Sequence, residues 1–177
     1  MKTLLSLTGL LLCMTSAFSQ TNISITNTEA EQILFGNYSI STYPGLDIVS
    51  NHADVLCNLQ DQLSTDSMLV YLEELEGFYT RHTHSDTLSD STGIGAARRW
   101  VYSKMQDFST NGSGRLVPAY LQFDQLGGPC GDDFGLRNVL GVLPGADLAK
   151  SEIIIVEAHM DSRCEGTCDI ACFAPGM

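Results

Sequence analysis

Residues 153–177 read IIIVEAHMDSRCEGTCDIACFAPGM. The stretch opens on a continuous apolar run, Ile153 to Val156, rather than an alternation of apolar and polar residues. Such a run suits a strand buried on both faces, inside a sheet covered by helices on either side. Burying each of these side chains is worth roughly 1.5–3 kcal/mol, so the run predicts a central strand with neighbours and a layer above and below it. It ends in Glu157-Ala158-His159-Met160-Asp161, and functional side chains of open α/β sheets gather at the carboxyl ends of central strands.

The residues before the run predict the elements that would surround such a strand. In Ser64–His82, three N-cap candidates (Ser64, Thr65, Asp66) precede Met68, Leu69, Leu72, Leu75 and Phe78/Tyr79 at helical spacing, an amphipathic helix. A polar loop follows, and from about Thr92 the stripe Ile94, Ala97, Val101 and Met105 predicts a second helix, ending at the turn cluster Ser109–Gly114. Residues 115–124 (RLVPAYLQFD) and 137–145 (RNVLGVLPG) read as strands around a Gly/Pro/Cys loop. Two helices, two strands and a buried central strand point to an α/β layered domain. The polar, Asn/Thr/Ser-rich residues 20–65 read as a pre-domain segment of strands and turns, and residues 66–177 as the domain proper.

Residues 1–19 have the anatomy of a secretory signal peptide: Lys2, an apolar run from Leu4 to Met14, and a small-x-small ending at Ala17 and Ser19, with cleavage expected before Gln20. The apolar run is shorter than the ~20 residues a bilayer span needs, and Leu12 stands where a lipid-attachment signal at Cys13 would need a small residue, so no membrane anchor is expected. Export leads to an oxidising compartment, where cysteines pair. Five remain after cleavage, Cys57, Cys130, Cys164, Cys168 and Cys172, an odd number that leaves one outside any intrachain pair. Nine Lys and Arg against 21 Asp and Glu give a net charge of −12, which repels phosphate backbones and anionic headgroups and argues against nucleic-acid or membrane-surface binding.

His159 and Asp161 are the candidate site residues. Imidazole is the commonest metal ligand, and a ligating His normally needs an acceptor that fixes its tautomer, a part that the carboxylate of Asp161 can play. By itself a His-x-Asp strand end is also what a solvated polar turn looks like. Cys164, Cys168 and Cys172 recur every four residues, but match no zinc or iron–sulfur spacing, and read as disulfides or loop thiols, with Cys130 a partner for one of them. Gly93 and Gly95 in TGIGAAR form half of a dinucleotide fingerprint without the preceding strand, and read as a helix start. His82 and His84 share a face only in an extended strand and read as a solvated loop.

Three stretches together carry a resemblance. RNVLGVLPGADLAKSEIIIVEAHMDS (137–162), the later Ala174-Pro175-Gly176, and LEGFYTRHTHSDTLSDSTGIGAARRWVYSKM (75–105) resemble metallopeptidase family twenty-eight of clan MH, the secreted di-zinc aminopeptidases and their carboxypeptidase relatives. The resemblance covers roughly residues 66–177. It implies a three-layer α/β/α zinc exopeptidase-like fold, peptide substrates and two zinc ions, with His159 binding one metal and Asp161 a supporting residue counted as catalytic. It further implies that the bridging Asp, the Glu pair with the general base and the other ligands lie beyond Met177, so that the chain is the N-terminal part of a longer enzyme and inactive alone. The alternative expectation is a non-catalytic, secreted, cysteine-linked α/β binding module.

Overall fold

The computed structural model of the protein describes residues 22–43, 51–131, 133–149 and 152–174. The expected signal peptide lies outside them, as do Pro175 to Met177. Strand β1 (Ser24–Ile25) leads into helix α1 (Thr28–Leu34). Helices α2 (His52–Gln62), α3 (Thr65–Gly77) and α4 (Gly93–Asn111) follow, then strands β2 (Val117–Gln125) and β3 (Phe134–Val142). The described strands form an antiparallel sheet of order β1-β2-β3, in which Val117 faces Val142 and Gln125 faces Phe134. The chain is thus a mixture of helices with a small antiparallel sheet, α/β in the broad sense.

Strand alternation gives this sheet two working faces. Val117 and Ala119 on β2 and Val142 on β3 join Ala30 and Ile33 of α1 in one buried cluster, flanked by Ile25, Tyr38, Tyr43 and Leu140. Residues of the opposite parity meet α4. Tyr120 stacks on Tyr102 at 4.7 Å, and a side chain at Gly141 would come within 3.1 Å of the Met105 sulfur. Helix α1 therefore covers one face of the sheet and α4 the other.

Each helix begins where a side chain or loop satisfies its free N–H groups. Asn27, Asn51 and Ser64 cap α1, α2 and α3, accepting from Glu29, Ala53 and Ser67. The N-terminus of α4 has no side-chain cap of its own. Instead Phe78 O accepts from Gly93 N, Ser85 Oγ from Ile94 N and Asp86 O from Gly95 N. The loop must lie close for this to happen: an added Cβ would stand 2.4 Å from Asp86 O at Gly93 and 2.2 Å from Thr87 O at Gly95. The paired glycines are a helix start, as the sequence suggested.

Two expectations fail here. The segment read as strands and turns holds α1 and α2 as well as the two-residue β1. Its Asn caps and the Val55, Leu56, Leu59, Leu63 spacing are helical signals that the polar composition masked. The apolar run is neither strand nor buried: Ile153, Ile154, Ile155 and Val156 are 66%, 90%, 78% and 94% exposed, and no described strand pairs with them. A strand buried on both faces needs a ladder partner and two covering layers, and among the described residues β3 pairs only with β2. Helix α3 is likewise present with its stripe largely open. Met68, Leu69 and Leu72 are about half exposed, and only Leu75 and Phe78 reach the cluster formed with Ala96, Ala97, Trp100 and Met160.

Candidate functional site

Directly after the exposed run the chain becomes tightly held. Ser162 N donates to Arg81 O at 3.2 Å, the Ser162 hydroxyl donates to Ala174 O, and Ala174 N donates to Tyr79 O at 2.8 Å. Thr80 and Ala174 form a parallel bridge. The turn before α4 and the two ends of the 161–174 loop are thus brought together. Met160 packs against the Phe78 and Ala97 cluster.

Arg81 is the anchor of this arrangement. It is 3% exposed, and its Nε donates to Met160 O at 2.8 Å while another guanidinium nitrogen donates to Leu75 O. Burial lowers its pKa, and the negative charge of Asp161 acts in the opposite direction. A guanidinium fixed beneath residues 160–161 positions the backbone between His159 and Asp161. Sequence reasoning passed over Arg81 because one arginine in a polar loop carries no periodic signal.

The structure places the candidate residues His159 and Asp161 in contact. His159 Nδ1 lies 2.8 Å from Asp161 Oδ1, and the His side chain is 95% exposed. A carboxylate only accepts, so Nδ1 carries a proton, and in the neutral imidazole Nε2 is the nitrogen that keeps its lone pair. This is the orientation that a carboxylate imposes on a metal-binding imidazole. The pair suits one position of a zinc coordination sphere. A catalytic zinc takes about three protein ligands, and among the described residues no three His, Cys, Asp or Glu side chains converge to hold a metal.

Beside Asp161 lies a pocket of about 190 Å³, lined by His82, His84, Phe134, Leu136, Arg163 and Thr167 among others. His82 is buried and His84 partly buried, rather than both lying in a solvated loop. His82 is 4% exposed, accepts from His84 N at Nδ1 (3.1 Å), and therefore donates from Nε2 to Thr167 O at 2.7 Å. The His84 ring lies against Phe134 with centroids 3.9 Å apart. Their burial depends on β3 and on the 163–172 loop, contacts too distant in sequence for local spacing to reveal. Disulfides Cys130–Cys168 and Cys164–Cys172 hold that loop over the pocket and leave Cys57 exposed and unpaired.

Comparison with known proteins finds relatives for this chain. It is similar to proteins named probable zinc metalloprotease. One, from Pyricularia oryzae, is 32% identical over 108 residues, covering 59% of this chain and 21% of the relative. Another, from Leptosphaeria maculans, is 28% identical over 119 residues, 66% of this chain and 27% of the relative. A third, from Pyrenophora tritici-repentis, is 29% identical over 126 residues, 70% and 26%. The chain spans about a quarter of the length of the curated relatives it matches. No protein-family model matches it, and no solved structure matches it.

Proposed function

We propose that the protein is a secreted zinc-dependent exopeptidase of the aminopeptidase type, built on a three-layer α/β/α fold, to which this chain contributes one zinc ligand, His159, and its orienting carboxylate, Asp161. The observation that carries the reading is the His159–Asp161 hydrogen bond at the end of the apolar run. Similarity to zinc metalloproteases supports it. The remaining ligands and the general base belong to parts of the intact enzyme outside the described residues.

In this reading the chain's own residues do positional work. Asp161 holds the His159 proton on Nδ1 and so presents Nε2 to the metal, while Arg81 holds the Met160 carbonyl. A zinc pair, when bound, supplies a polarised carbonyl and a water activated at neutral pH.

Protein secreted from the complete open reading frame tests the proposal. It should hydrolyse aminoacyl anilides with a free amino group, lose that activity to a zinc chelator and regain it with zinc. Cleavage only of amino-blocked peptides with a free carboxyl terminus would make it a carboxypeptidase. Absence of any zinc-dependent cleavage would return the chain to the binding-module reading. N-terminal sequencing of the secreted protein should begin at Gln20.

A further inference from the structure

Arg98 sits in the first half of α4 and is 5% exposed. Among the described residues its guanidinium makes no hydrogen bond or ion pair, and its Nε is wholly buried without a partner. Arg81 shows how the same fold satisfies a buried guanidinium, by donating to two backbone carbonyls near a carboxylate. Nothing of the kind reaches Arg98.

Its neighbours sharpen the contrast. Tyr120 Oη donates to the Arg98 carbonyl at 3.4 Å, and Tyr120 pairs with Val139 across the sheet. Arg137 precedes Val139 by two residues, so it belongs to the same sheet face as Tyr120, and there it is exposed at the border of the part that α4 covers. Burial lowers the Arg98 pKa first, and the charge of Arg137 lowers it further. A guanidinium taken out of water beside a second one is costly unless an anion joins them.

We infer that Arg98 and Arg137 form a carboxylate-binding site between α4 and β3. The guanidinium fork matches a carboxylate with two parallel hydrogen bonds. The carboxylate has two sources: an Asp or Glu side chain of a segment laid along the far edge of β3, which no described strand occupies, or a free carboxylate from solution. The site is independent of the peptidase reading.

Thermal unfolding of the protein from the complete open reading frame decides the matter, with sodium acetate compared against sodium chloride at equal ionic strength. Arg98→Met is expected to lower Tm by roughly 5 °C or more, and Arg98→Lys to recover part of the loss. With a side-chain carboxylate in the site, the deficit of Arg98→Met is the same in both salts. With a free carboxylate, acetate raises the native Tm and leaves that of Arg98→Met unchanged. The inference is overturned by an Arg98→Met protein as stable as the native one with no acetate effect on either. Equal, acetate-independent losses in the Met and Lys variants would assign the effect to packing and overturn it too. So would an acetate response that survives Arg98→Met.

Discussion

His159 is useful to a metal only if its ring is held, and the hydrogen bond it donates to Asp161 is what holds it. Asp161→Asn keeps the shape and removes the charge that fixes the tautomer. Zinc affinity of the intact protein should fall about 10–100-fold, the range seen when a ligand's outer partner is lost, as read by competition with a chelating dye. Asp86 offers a separate check on local electrostatics. Its Oδ1 accepts from Leu88 N at 2.7 Å and from Ser89 N at 3.1 Å, and these bonds hold its pKa below the ordinary carboxylate value. Because the folded value lies below the unfolded one, the contribution is complete above about pH 4 and disappears as pH falls through the depressed value. A carbon-detected NMR titration should place the Asp86 midpoint below that of the unfolded chain. The contact between His159 and Asp161 was legible because His-x-Asp is a local pattern. Arg81, His82 and Arg98 were not, since what distinguishes them is burial by distant segments.

Among the elements, α4 and the 163–172 loop position the site. Helix α4 depends on the close approach of Asp86 and Thr87 to its first turn, which a methyl group at position 95 would obstruct. Gly95→Ala should therefore cost about 1–3 kcal/mol by overpacking, visible as a lower denaturant midpoint. The glycines and the apolar stripe made this helix readable in advance. The pairing of Cys130 with Cys168 was less so, because connectivity depends on which loops meet. That bond closes a sequence separation of 38 residues and brings Thr167 to His82. Replacing both cysteines by serine should destabilise the protein by roughly 2–4 kcal/mol, and reductant should cost the native protein more than it costs the double variant, which keeps only Cys164–Cys172 to lose.

At the scale of the molecule the apolar run is the clearest mismatch between what the residues require and what surrounds them. Ile153 to Val156 have the composition of a central strand, yet they stand 66–94% exposed. Composition revealed the burial that these residues call for, whereas their pairing depends on strands that the described residues do not supply. In the proposed enzyme those neighbours come from the rest of the protein, which also brings the other zinc ligands. Hydrogen exchange should then show the amides of 153–158 protected in the protein from the complete open reading frame and open in a chain of residues 20–177.

Zinc content tests the central claim most directly, measured by mass spectrometry on the protein from the complete open reading frame and on its His159→Ala variant, each dialysed against the same trace-metal buffer. The account predicts stoichiometric zinc in the native protein and about one ion per chain fewer in the variant, with loss of aminopeptidase activity. Equal zinc and equal activity in the two proteins would contradict it.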